Sequence, residues 1–350
     1  MRLILLYLSL SLTSILSARE WPLWDNHESV ESYAKRVNLA LTKTLDLSNG
    51  VKLELVLIPA GKFVMGTPEP EFPDTIRQAI LLILIGGILL IGVFVKLWLN
   101  YRKSKRRNFS LGWLLLLTIT GGLFAGTVVR SFVFKDRISR QYQHDMRIFE
   151  GLPDNEKPAH TVTISRPLYM GKYPITREQY VAVMGNFPVN NYPSNSRHPV
   201  AEAKWDDSMA FCDKCKVQLP TEAQWEFACR AGTTTRFYSG DTETDLMQVG
   251  WYDKNSGYWS QKVGMKSPNL FGLYDMHGNV WQWCEDGQRV YRNSTEIDPK
   301  GPTSPKIRHM MRGGSRDSNS NRCRSTQRES GSPDHRRSDS GFRVILPVPE

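Results

Sequence analysis

The sequence predicts a loop-rich α+β domain interrupted by a two-helix transmembrane hairpin. Three observations predict it. Short β-branched or alternating runs stand near residues 51–66 and 160–173, three helices with readable caps lie between Thr176 and Gly232, and two apolar runs of membrane-spanning length separate the first strands from the rest. With 350 residues, 23% of them charged and 11% aromatic, the chain is long enough to bury a core and unlike a disordered one. No repeat of fixed period is present.

The formal charge of +10 points at first to a nucleic-acid partner. Its distribution points elsewhere. Eleven Lys/Arg and a single acid, Asp136, lie between Arg77 and Arg140, and they carry the whole excess. Membrane topology accounts for that cluster, so no nucleic-acid partner is expected.

Residues 1–18 read as a signal peptide, with Arg2, an apolar core from Leu3 to Leu16, and small residues at Ser14, Ser17 and Ala18. Residues 19–50 form a lead segment with helical spacing at Val30, Tyr33, Val37 and Leu41. Residues 51–76 hold the first strands, Val51–Ile58 closed by Pro59-Ala60-Gly61, then Phe63–Gly66. Residues 77–135 are the expected hairpin, spanning at 79–99 and 111–129 around a basic loop, 100–110, that contains Arg102, Lys103, Lys105, Arg106 and Arg107. Each run has about the ~20 residues that cross the hydrocarbon core as a helix. Retention of the loop in the cytoplasm and export by the signal peptide both place the folded remainder on the exterior (periplasmic or extracellular) side of the membrane. Loop length costs little closure entropy, so a hairpin inserted between two strands is tolerable.

Residues 136–350 complete the domain. Strands are expected at His160–Ile164 and Leu168–Tyr173. Thr176 and Gln179 form a capping box ahead of Tyr180, Val183 and Met184, with Gly185 as the stop. Asp206 or Asp207 is expected to cap the next helix, and Thr221 the one that runs to Gly232. The Arg/Ser-rich run from Arg312 to Arg337 is expected as a solvated loop face. Cys212 and Cys215 read as fillers of a helix face or one incidental disulfide, because no second pair or His pair completes a zinc site.

Several ordered motifs carry a resemblance. Leu57-Ile-Pro-Ala-Gly-Lys-Phe-Val-Met-Gly66, Glu156-Lys-Pro-Ala-His160 and Met170-Gly-Lys-Tyr-Pro-Ile-Thr176 come first. Trp205-Asp-Asp207 and Leu219-Pro-Thr-Glu-Ala-Gln-Trp-Glu226 follow. Phe271-Gly-Leu-Tyr-Asp-Met-His-Gly-Asn-Val-Trp-Gln-Trp283, Arg312-Gly-Gly-Ser315 and Gly341-Phe-Arg343 close the series. The stretch from Val51 to Pro347, less the hairpin, resembles the sulfatase-modifying-factor (formylglycine-generating-enzyme) family. The resemblance implies a loop-rich relative of the C-type lectin fold.

Members that oxidise a sulfatase cysteine use two cysteines shortly after Gly-Gly-Ser to hold copper, a soft pairing of thiolate and Cu(I). In that register the positions here are Ser318 and Cys323. A hydroxyl does not replace a thiolate, so no catalytic residue is assigned and copper is not expected. The resemblance also implies a calcium site on Asp275, Gly278, Val280 and Gln282, through two side-chain oxygens and two backbone carbonyls, with Gln282 where the family usually has Glu. Calcium is thus the one candidate ion. A nonheme iron site is not expected, since none of the seven histidines makes an i, i+4 pair. The expected function is a noncatalytic binding or scaffolding module for a protein, peptide or glycan ligand, confined to a membrane surface. The alternatives are a sulfatase-maturing oxidase and a structural envelope protein.

Overall fold

In the computed structural model the described residues are 20–70, ten positions between 81 and 99, 136–187 and 196–349. The chain divides into a first unit, up to Gly66 and from Asn155 onward, and a second, Thr67–Asp154. The expected signal peptide 1–18, the loop 100–110 and the second apolar run 111–129 lie outside the described residues. Within the first apolar run the ten described positions are helical. Seven of them, from Leu81 to Leu99, are large apolar side chains that stand exposed. Among the described residues no helix is long and apolar enough to cross a membrane. The second unit also holds a helix over residues 136–150.

In the first unit, α1 (Val30–Val37) starts at Ser29, whose side chain accepts the Ser32 N–H, and stops at Asn38 in the left-handed region. Leu41, expected to continue it, instead leads into β1 (Thr42–Asp46), an edge strand reading Thr-Lys-Thr-Leu-Asp. β1 pairs with β2 (Lys52–Ile58), which pairs in turn with β5 (Leu168–Gly171), and β11 (Ile345–Pro347) closes this antiparallel sheet. A second sheet orders β10 (Ser340–Phe342), β6 (Trp281–Gly287), β8 (His309–Arg312) and β9 (Arg328–Gly331). A third joins β3 (Gly61–Met65), β4 (His160–Ile164) and β7 (Glu296–Ile297).

The helices begin close to where their caps are written. α2 (Arg177–Met184) has the Thr176/Gln179 box and ends at Gly185 with φ +87°. α4 (Glu222–Arg230) has the Thr221/Gln224 box. For α3 (Trp205–Cys215) the expected aspartate cap is corrected. Lys204 occupies the cap position, and Asp207 accepts its backbone N–H from inside the first turn (3.3 Å). α5 (Glu243–Val249), capped by Thr242 and Asp245, was not anticipated.

These elements enclose one principal core. Trp225, Trp281, Trp283, Phe211, Phe227 and Phe342 are fully buried. Tyr180 stacks on Phe211 with centroids 6.0 Å apart, and Phe342 meets Phe211 edge-on at 5.3 Å. Each such ring contributes about 1.5–3 kcal/mol relative to exposure. The five cysteines are free, so no disulfide staples this core.

Candidate functional site

Two of the sequence motifs meet in space. The turn Asp275–Asn279 has left-handed backbone at Asp275, Gly278 and Asn279. It is stitched to the Gly313–Ser318 loop by Gly278 N–H donating to the Gly313 carbonyl (2.7 Å) and Arg316 N–H to the Asn279 carbonyl (3.0 Å). Glycine is required at the crossing. A Cβ on Gly278 would lie 2.0 Å from the Trp251 carbonyl oxygen, and one on Gly314 would lie 2.7 Å from the Cys323 sulfur.

All four expected calcium ligands lie on or next to that turn, but their side-chain oxygens are already in use. Asp275 accepts the Gly264 N–H (2.8 Å) on one oxygen and the Asn279 amide (3.2 Å) on the other. Burial raises its pKa above the usual carboxylate range despite those donors. Gln282 Oε1 accepts two hydrogen bonds, from Trp225 Nε1 (2.9 Å) and Arg343 Nε (2.6 Å), while its amide donates to the Asp275 carbonyl (2.7 Å). The Arg343 guanidinium also donates to the carbonyls of Gly171 (2.8 Å) and Tyr274 (2.7 Å). Backbone, amide, indole and guanidinium donors therefore already hold the side-chain oxygens of Asp275 and Gln282. Calcium needs six to eight oxygen ligands, and this donor set does not fit it.

Ser318 and Cys323 are both buried, and neither is a metal ligand in waiting. The Ser318 hydroxyl accepts the Ser315 N–H (3.0 Å) and sits 3.2 Å from the Ser315 hydroxyl, which donates to Asp339 (2.7 Å). Cys323 packs among Phe237, Leu246, Val249 and Tyr252. Burial raises its thiol pKa above the ordinary range, and Ser318, at the other position, offers a hydroxyl where a soft ion needs sulfur. The residues present do not fit copper.

Sequence reasoning missed His277 and Cys229. The His277 ring is fully buried, with Nδ1 2.7 Å from the Cys323 carbonyl and Nε2 accepting the Tyr238 N–H (3.1 Å), which assigns a neutral Nδ1–H tautomer. Burial lowers its pKa to about 4. The Cys229 sulfur lies 3.8 Å from Nε2, and burial pushes that thiol up to about 12. With both ring nitrogens committed and the thiol protonated, the pair is a packing contact and supplies no activated nucleophile. The Cys-to-carbonyl tie through His277 does hold the Gly313–Cys323 loop against α4.

The Arg/Ser-rich run is not a solvated face. Arg312 ion-pairs with Glu226 and lies 3.7 Å from Glu222. Arg328 grips both oxygens of Glu222 at 2.7 Å, and Arg324 grips Glu156 at 2.7 and 2.8 Å. Arg230 and the Gly66 N–H complete the shell of Glu226 at 3.0 Å each. Two of these, Arg328–Glu222 and Arg324–Glu156, are bidentate, and all lie inside the protein, built from residues whose charge suggests a surface.

Comparison with known proteins follows this geometry. The family model described as the sulfatase-modifying factor enzyme 1-like domain matches residues 118–348. The formylglycine-generating enzyme of Mus musculus is 28% identical over 306 residues, covering 83% of this chain and 74% of that protein. The inactive C-alpha-formylglycine-generating enzyme 2 of Bos taurus is 25% identical over 331 residues, covering 88% and 92%. The solved structure of Treponema denticola variable protein 1 shares the fold, with a TM-score of 0.59 at 21% identity, over 88% of this chain and 100% of that one. The motifs, the meeting of their two glycine turns and the family match agree: the chain belongs to the sulfatase-modifying factor enzyme 1-like domain family.

Proposed function

We propose that this chain is a noncatalytic binding module of its family, anchored in a membrane by the hairpin and facing the exterior. The state of Ser318 and Cys323 carries the reading. At the two positions that the resemblance aligns with the copper-holding cysteines stand a hydroxyl already hydrogen-bonded within its own loop and a thiol enclosed by apolar side chains. Oxygen activation by a soft metal held on a thiolate pair needs sulfur at both positions, and Ser318 supplies none. Ser315 and Asp339 form a hydroxyl–carboxylate pair, but the Arg337 and Ser315 contacts outweigh burial and keep Asp339 a weak base, so no general-base chemistry replaces the metal. A similar chain whose name is that of an inactive enzyme is consistent with this. The anchor rests on the two apolar runs, 79–99 and 111–129, around the basic loop, and on the exposed apolar side chains at the described positions of the first.

The test is aldehyde formation from a cysteine peptide of sulfatase origin, with copper and oxygen supplied. The wild-type chain is expected to form none, whereas a product that disappears in Cys323→Ser would establish the oxidase reading instead. Alkaline carbonate washing separately tests the anchor: the full chain should stay with the membrane pellet, and its release into the wash would remove the hairpin from the account.

A further inference from the structure

The segment from Ser256 to Lys262 is locked from several sides. The Ser256 hydroxyl donates to the Arg316 carbonyl (2.8 Å) and accepts the Tyr258 N–H (3.0 Å). Arg316 Nε donates back to the Tyr258 carbonyl (3.0 Å), and its Nη1 reaches the Ser338 carbonyl (3.0 Å). The Gln261 amide donates to the Ser256 carbonyl (2.9 Å), while the Gln261 N–H donates to Asn279 (3.0 Å) on the glycine turn. The outcome is unusual for so constrained a loop. Tyr258 is forced to φ +64°, a region that bulky side chains avoid. Tyr258 and its neighbour Trp259 also keep 68% and 66% of their surface in water. Backbone strain and exposure of two large aromatics each cost stability, and neither serves the core.

Cations gather along the same loop. Lys262 and Arg197 are exposed, and the Val263 N–H donates to the Arg197 carbonyl (2.9 Å). Arg177 reaches the Ser260 hydroxyl at 3.5 Å. Neither Lys262 nor Arg197 pairs with a carboxylate among the described residues; the exposed acid nearby, Asp317, lies 3.5 Å from Arg316. His198, whose carbonyl accepts the Arg177 N–H (2.9 Å), reports the local field: burial first, then the Arg177 and Lys262 charges, lower its pKa. The loop therefore presents two exposed rings on a fixed backbone beside a positive potential.

We propose that Tyr258, Trp259, Lys262 and Arg197 form a docking strip for an acidic polysaccharide. Its sugar rings lie with their apolar C–H faces on the two aromatics, and its carboxylate or sulfate groups meet the two cations. The openness of both rings favours this ligand over a peptide, whose anchoring side chain needs a recess to fill. Rigid aromatics lose little rotamer entropy on binding, and the strained loop holds them in place beforehand. The strip gives a substrate class to the binding module proposed above and rests on that reading.

The experiment uses the full-length chain in detergent, immobilised, with polygalacturonate and dextran sulfate as probes and neutral dextran and poly-L-glutamate as comparisons. One or both acidic polysaccharides are expected to bind, and both comparison polymers to bind about tenfold more weakly or less. Trp259→Ala should weaken polysaccharide binding about tenfold with an unchanged thermal midpoint, and Trp259→Phe should restore most of it. Lys262→Glu and Arg197→Glu should each weaken binding and flatten its salt dependence. Binding by Trp259→Ala or Lys262→Glu equal to wild type overturns the strip. So does poly-L-glutamate binding as tightly as the sugars, or no polysaccharide binding at all. Aldehyde production in the peptide assay would sink the noncatalytic reading without touching this result, and failure here leaves that assay's answer standing.

Discussion

Arg312 and Arg343 are both fully buried, yet the protein treats their charges in opposite ways. Arg312 lies against two carboxylates, Glu226 and Glu222. Burial works against its charge, but the two acids outweigh that and raise its pKa well above the ordinary arginine value. Arg343 donates to the neutral oxygens of Gln282, Gly171 and Tyr274, with only the charge of nearby Asp275 as partial help. Burial lowers its pKa to about 10. Arg312 thus neutralises a lattice of acids between α4 and the second sheet, whereas Arg343 acts as a fork of donors that organises carbonyls and one amide. At the Asp275–Gln282 turn it is therefore neutral donors and the Arg343 fork that hold the side-chain oxygens.

The largest expected effect comes from removing the compensating charge. Arg312→Met leaves Glu226 and Glu222 short of a counterion in a dry interior and should cost about 3–5 kcal/mol, read from urea unfolding midpoints. Arg343→Met leaves neutral acceptors unpaired and should cost about 2–3 kcal/mol, visibly less. Equal losses would break the distinction drawn here. The smallest effect is in pH dependence. Asp286, which accepts the backbone N–H groups of Glu222 (2.8 Å) and Gly301 (3.1 Å), has its pKa raised to about 6 by burial and then by the Glu222 charge. A carboxyl raised in the folded state contributes stability in full below its unfolded pKa and loses it as pH climbs through the folded value. Wild type should therefore lose stability relative to Asp286→Asn between about pH 4 and pH 6, by on the order of 1 kcal/mol. Glu222 acts in the other sense. Arg328 and Arg312 outweigh its burial and lower its pKa, so its contribution is lost as pH falls. Taking the difference between the two proteins isolates Asp286. A difference that is flat with pH would mean that its carboxyl is not disfavoured in the fold.

Much of this architecture was legible beforehand, and the rest was hidden for identifiable reasons. Capping boxes at Thr176 and Thr221 announced α2 and α4, because a side-chain oxygen three residues ahead of a Gln is a local signal. β4 fell on its expected residues, His160–Ile164. β6 went unseen because it runs between β10 and β8 and is buried on both faces, which erases the two-residue alternation. β8 and β9 went unseen because Arg312 and Arg328 occupy core positions, and periodicity reads arginine as surface. At the site, the Asp275–Asn279 and Gly313–Ser318 motifs stood out in the sequence, but their meeting is visible only in the geometry. The occupation of Gln282 by Trp225 and Arg343 was not readable, since it depends on residues far apart in the chain meeting at one amide. Tyr258 and Trp259 had no sequence signal at all, because exposure of an aromatic is a property of its surroundings.

One further consequence follows from the pairing of β3 with β4. Met65 stands directly opposite His160 on the neighbouring strand, and Gly66, at φ +89°, is clamped by Glu226 and Arg230 just where the chain departs. Departure and return are thus fixed by contacts within the first unit. Replacing residues 67–154 by a short turn is therefore expected to leave the thermal midpoint of the first unit unchanged.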